Sequence, residues 1–73
     1  MTVRGIQVRL TELWYRLEQT FGPGYAASVA HDHVLSQLGG RTIEQALADQ
    51  LEVHEIWRAV VAAYPDRVPA RLR

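Results

Sequence analysis

Three histidines and their neighbours are the residues of this chain most able to do chemistry. His31, Asp32 and His33 stand together, and His54 lies further on. Two imidazoles and a carboxylate could hold a metal ion, or could act as an acid and a base. The spacing argues against both on a helix. Residues two apart are rotated by about 200°, so His31 and His33 point to nearly opposite sides. Neighbouring residues diverge by about 100°, which keeps Asp32 and His33 from bonding side chain to side chain. His54 could join either histidine only through tertiary contact. With no cysteine, a thiolate zinc site is excluded. No serine-centred nucleophile motif is present. Gly39-Gly40 lacks both the Gly-Lys of a phosphate loop and the spacing of a dinucleotide fingerprint. The expectation is a protein without catalytic residues, metal or cofactor.

The elements that would position these residues read as helices. Thr11 is the expected N-cap of a first helix, with Leu10 and Tyr15 as a hydrophobic staple. Leu13, Trp14, Leu17 and Phe21 recur at helical spacing, and Gly22-Pro23 end the run. A second helix is expected from Pro23 or Gly24. Its stripe is Tyr25, Ala26, Val29, Ala30, Val34, Leu35 and Leu38, with a left-handed cap at Gly39. Thr42 and Gln45 form a capping box, opening a short helix that offers Ile43, Ala46 and Leu47. Asp49-Gln50-Leu51 is its closing turn. Glu52 stands at the next N-cap site, between Leu51 and Ile56. Val53, Ile56, Trp57, Val60, Val61 and Tyr64 make the most regular apolar stripe of the chain, stopped by Pro65.

No strand pattern or repeat interrupts this reading. The fold expected is all-α: a small bundle of three main helices plus one short helix, containing a helix–Gly-Gly–helix segment. Residues 1–8 read as a flexible tail, 9–65 as a single helical domain and 66–73 as a frayed basic tail. A chain of 73 residues with no cysteine has neither a large core nor a disulfide to lean on. Helix packing must supply its stability. A 48% hydrophobic fraction is enough for a globular domain. No apolar run reaches the roughly 20 residues of a membrane span, and no secretory leader is apparent, so the expected location is cytoplasmic.

Formal net charge is zero, but the signs are segregated. Arg4, Arg9, Arg16 and Glu12 give residues 1–16 a charge of +2. Arg41 against Glu18, Asp32, Glu44, Asp49, Glu52 and Glu55 leaves residues 17–55 at −5. Arg58, Arg67, Arg71, Arg73 and Asp66 give residues 56–73 +3. A helix-turn-helix docking would place residues 43–50 in a major groove. That segment carries Glu44 and Asp49 and no basic residue, so phosphates would repel it. DNA contact is expected, if anywhere, at Arg4, Arg9, Arg67, Arg71 and Arg73, weakly and without sequence preference. Trp57, Arg58 and Arg41 are the candidate contacts for a protein partner. For Trp57 the competing reading is core, and for Arg41 a brace for its turn or a pair with Asp32.

Six motifs in order resemble one known family. They are Arg9-Leu10-Thr11-Glu12-Leu13-Trp14, Phe21-Gly22-Pro23-Gly24-Tyr25-Ala26, Asp32-His33-Val34-Leu35, Leu38-Gly39-Gly40-Arg41-Thr42, Gln45-Ala46-Leu47 and Trp57-Arg58-Ala59-Val60. Over roughly residues 8–64 the chain is similar to the actinobacterial domain of unknown function DUF3046. The resemblance implies no activity. Members often lie near recombinase genes, which hints at a DNA-associated accessory role as the alternative to a non-catalytic interaction module. Members commonly begin with Met just before the Arg-Leu-Thr segment. Val8 holds that place here, and a GTG start codon also encodes valine. The resemblance therefore implies that residues 1–7 are a dispensable extension. Members also often open the last helix with Asp-Pro. Glu52-Val53 replaces it, which implies a weaker cap.

Overall fold

The computed structural model describes residues 2–73, with side chains from Arg9 onward. Helix α1 spans Thr2–Phe21. Helix α2 spans Ala26–Asp32, α3 Ile43–Ala48 and α4 Val53–Ala63. Between α2 and α3 lie a two-residue strand β1 (Val34–Leu35), a 3₁₀ turn (Ser36–Leu38) and its antiparallel partner β2 (Arg41–Thr42). A second 3₁₀ turn, Ala70–Leu72, lies near the C-terminus. The chain is mostly helical, with four α-helices and one very small sheet among the described residues. No helix of the described residues is long and apolar enough to cross a membrane.

One apolar cluster joins these elements. Leu13 and Leu17 of α1, Val29 and Ala30 of α2, Ile43 and Ala46 of α3, and Ile56 and Val60 of α4 are all at most 1% exposed. On α1 the spacing of Leu10, Leu13 and Leu17 sets which face turns inward. Thr20 is buried on the same helix, and its hydroxyl donates to the Arg16 carbonyl at 2.8 Å, which satisfies it without a tertiary partner. Gly22 ends the helix at φ +99°, a conformation that suits glycine.

The first departure from the sequence reading is at Thr11. It lies inside α1, so it is not an N-cap. The helix continues back to Thr2 through the stretch read as a tail. Helix propagation adds one hydrogen bond per residue once the first turn exists, and Gly5 does not stop it here. Met1 and the side chains of residues 2–8 lie outside the described residues.

The second departure is at His33, which turns extended (φ −87°, ψ 118°) and ends α2 well before Gly39. Val34, Leu35 and Leu38 suit a helical stripe and a short strand equally, so periodicity alone could not separate them. Extension lets Val34 face Thr42 and Leu35 face Arg41 across the ladder. It buries Leu35 and Leu38 at 4% exposure each. Gly39 (φ +70°) is the expected left-handed cap, and Gly40 (φ +81°) follows it in the same region. The segment is thus a 3₁₀ turn, two left-handed glycines and a strand, rather than helix–Gly-Gly–helix.

From Thr42 to the end of α4 the sequence reading and the structure coincide. Gln45 N–H donates to Thr42 Oγ1 at 3.1 Å, and Thr42 N–H donates to Gln45 Oε1 at 3.0 Å. The helix closes with two nested bonds. Leu51 N–H donates to the Ala46 carbonyl and Gln50 N–H to the Leu47 carbonyl, each at 3.0 Å. This is a Schellman motif, and it needs a left-handed residue at Gln50 (φ +65°). Glu52 then opens α4 with its backbone only, since its side chain makes no capping bond.

The third departure is the C-terminus. Residues 66–73 fold back on the body instead of fraying. Tyr64 O accepts from Arg67 N–H at 3.1 Å and Val68 N–H at 3.2 Å, and Val68 is buried. Trp57 Nε1–H donates to the Leu72 carbonyl at 2.8 Å. Val68 and Leu72 carry no helical period among the prolines, so their burial left no pattern to read.

Two outcomes follow from this architecture. Trp57→Ala removes a buried aromatic ring and the Leu72 anchor, so the loss should be about 3–5 kcal/mol and leave the chain largely unfolded. Circular dichroism of a well-folded variant would contradict the burial. Gln50→Gly relieves the left-handed strain and should raise stability by up to about 1 kcal/mol, or several degrees in Tm. An unchanged or lower melting temperature would contradict the turn geometry.

Candidate functional site

The structure separates the histidines. His31, at the end of α2, donates from Nδ1 to Glu44 Oε1 at 2.9 Å, and its Nε2 lies 3.9 Å from Asp32 Oδ1. His33 shares a 2.9 Å hydrogen bond between Nδ1 and the Tyr64 hydroxyl, 31 positions away. His54 stands on the first turn of α4. Among the described residues no group of three or more His, Asp or Glu is placed to hold a metal. His31 and His33 each act as a tie between elements: α2 to α3, and the α2–β1 junction to the end of α4. The Tyr64 ring in turn meets Phe21 edge-on at 5.1 Å.

Arg41 is a brace. Its Nη1 donates to the Leu38 carbonyl at 2.9 Å across the Gly39-Gly40 turn. Its Nε donates to Asp49 Oδ2 at 2.7 Å, so the acid it pairs with is Asp49 rather than Asp32. Trp57 is 4% exposed, so most of its ring belongs to the core rather than to a surface. The Arg16 guanidinium lies 5.7 Å over its ring, and its N–H donates to the Leu72 carbonyl. Arg58, one position along α4, faces solvent.

The arginines expected to meet phosphates fare unevenly. Arg67 lies over the Phe21 ring at 5.4 Å, Arg71 donates to Gln19 Oε1 at 2.9 Å, and Arg73 donates to the Pro65 carbonyl. These contacts hold the C-terminal segment against the body. The side chain of Arg4 lies outside the described residues. Arg9 is exposed and leads to a feature that the sequence did not announce.

That feature is a groove between α1 and the α3–α4 connection. It comprises two adjoining hollows of about 460 and 620 Å³, which share Arg9, Glu52 and Val53. The floor is apolar: Leu10 and Leu13 from α1, Leu47 from α3, Leu51 from the α3–α4 connection, and Val53 and Trp57 from α4. Charged groups stand on both lips. On α1, Arg16 Nε donates to Glu12 Oε2 at 3.0 Å, while Arg9 makes no ion pair with a described residue. On the other lip Glu52, beside His54, likewise makes no ion pair with a described residue. The left-handed turn at Gln50 creates this lip by throwing Leu51 and Glu52 out toward α1. Sequence reading recognised the turn but not the hollow. The signal available was the run of Leu47, Leu51 and Val53, more apolar than a short turn requires. The large exposed apolar residues elsewhere, Tyr15, Tyr25 and Val34, sit singly on α1, the α1–α2 loop and β1. Single exposures of this kind need no explanation.

The His31–Glu44 tie has a titration signature. The hydrogen bond to Glu44 is the main cause that raises the His31 pKa above the ordinary imidazole value, helped by the charges of Glu44 and Asp32. A raised folded-state pKa means that the stabilisation is fully present below the unfolded value. It is lost as pH rises through the folded one. In an NMR titration His31 should therefore release its proton later than a free imidazole, and Glu44→Gln should shift that midpoint down. A midpoint unmoved by Glu44→Gln would show that the pair does not form.

No curated protein and no solved structure matches this chain. The family model described as "Protein of unknown function (DUF3046)" matches residues 8–71 of the 73. The match runs past the stop at Pro65 and takes in the folded-back segment with Val68 and Arg71, so that segment is part of the family's shared unit. It begins at Val8, just ahead of Arg9 and Leu10 on the groove. The chain belongs to the DUF3046 family.

Proposed function

We propose that this protein is a non-catalytic interaction module, acting in the cytoplasm of an actinobacterial cell, and that it docks a protein segment in the α1/α3–α4 groove. The observation that carries this reading is the groove itself: a floor on which Leu10, Leu47, Leu51 and Val53 are only partly buried, edged by Arg9 and Glu52, neither of which has an ion pair among the described residues. Such a surface gains by covering apolar area and by matching charge, the two terms that drive protein docking. Arg58 and His54 extend the polar surroundings along α4. Two further points support a binding role over chemistry. The imidazoles of His31 and His33 serve as structural ties, and Arg41 is engaged by Leu38 and Asp49. The DNA-associated alternative loses support from the acidic α3 and from the use of Arg67, Arg71 and Arg73 within the fold.

A photo-reactive side chain placed at His54, on the groove lip, should cross-link to a discrete protein in the producing cell. The same group at Ser28 on α2 should not, and Leu51→Asp should abolish the His54 adduct. Equal labelling from both positions, or none from His54, would contradict the reading. So would sub-micromolar, sequence-selective binding to duplex DNA at about 150 mM salt, where phosphate-driven contacts weaken.

A further inference from the structure

The groove also carries information about its occupant. Leu10, Leu13 and Leu17 follow one another at spacings of three and four along α1. In the sequence of the same helix, Ile6 and Val3 continue that spacing backward. A three–four apolar repeat on a single helix is the pattern that packs against another helix of the same kind. Leu13 and Leu17 are fully buried by this chain's own body. Leu10 is only partly buried, at the point where the seam leaves the core and enters the groove.

The charges on the groove make it self-complementary. A two-fold contact brings a surface patch against its own copy, so that patch must carry both members of each pair. Arg9 and Glu52 border both hollows from opposite sides, and neither has an ion pair within the described chain. Turned about a two-fold axis, Arg9 of one copy meets Glu52 of the other, twice. The approach must be antiparallel, because the C-terminal half of α1 is embedded in the body and a parallel approach would drive the two bodies together.

Resting on the docking reading above, we propose that the occupant of the groove is a second copy of this chain, joined as an antiparallel two-fold dimer. The α1 seam around Leu10 of each copy lies in the groove of the other, and reciprocal Arg9–Glu52 pairs flank it. The patch is small, so the association is modest, with Kd of about 10–100 µM.

Sedimentation velocity on the full chain, up to about 0.5 mM, tests this. The wild type should pass from monomer to dimer. Arg9→Glu and Glu52→Arg should each weaken association about tenfold or more, since each sets like charges together at both ends of the two-fold contact. The double variant Arg9→Glu/Glu52→Arg should recover to within about threefold of wild type, because the pairs are restored with signs exchanged. Both sites are exposed, Arg9 on its helix and Glu52 on its turn, and thermal melts should confirm that the three variants stay folded. A wild type that remains monomeric at the highest concentration overturns the proposal. A dimer whose Kd ignores both single changes, or fails to recover in the double variant, overturns it too. A monomeric wild type that still cross-links to a different protein through His54 would leave the docking reading standing and remove only this occupant.

Discussion

Trp57 is the point on which the chain closes. Its ring is buried in the apolar cluster, its N–H is anchored by the Leu72 carbonyl, and the Arg16 guanidinium lies over its face. One side chain thereby joins α4, α1 and the C-terminal segment. With no disulfide, a chain this short depends on such shared contacts, because no single pair of helices buries enough surface alone. The same ring, only 4% exposed, also lines the adjoining hollow, so closure of the core and the shape of that hollow depend on one residue.

The short elements around that core are set by backbone constraints more than by helix propensity. Left-handed residues at Gly22, Gly39, Gly40 and Gln50 each redirect the chain where α1, the 3₁₀ turn or α3 must stop. The three glycines adopt such angles at no steric cost, whereas Gln50 holds its own with some strain. That strained residue is the one that shapes a lip of the groove. Strain at a surface turn is tolerated where the nested bonds to Ala46 and Leu47 fix the geometry.

Local chemistry made part of this legible in the sequence. The Thr42–Gln45 capping box, the Gly39 cap, the turn at residues 49–51 and the stripe of α4 depend on neighbours within a few positions, so sequence patterns describe them well. The end of α2 at His33 was hidden, since Val34, Leu35 and Leu38 fit a helix and a strand alike. The start of α1 was misplaced because Thr11 has the chemistry of a cap but lies mid-helix. The folded-back C-terminus depends on Val68 and Leu72 meeting residues far away in sequence, which no local period records. The site was read less well for the same reason. The sequence reading set His31 and His33 on one helix, but His33 lies past its end, and their partners, Glu44 and Tyr64, are tertiary. Arg9, read from the sequence only as a candidate phosphate contact, also stands on the lip of a groove that no local pattern announced.

The buried tryptophan, the strained turn, and Arg9 and Glu52, unpaired among the described residues, are the features on which the proposed docking of a second copy rests. A concentration series of amide ¹H–¹⁵N spectra, from about 20 µM to about 1 mM, tests that claim most directly, because it spans the range of a modest affinity. The account predicts shifts confined to amides around Arg9–Leu13 and residues 47–54, moving together along one binding curve. Spectra that do not change with concentration, or changes centred on α2 or the β1–β2 turn, would contradict it.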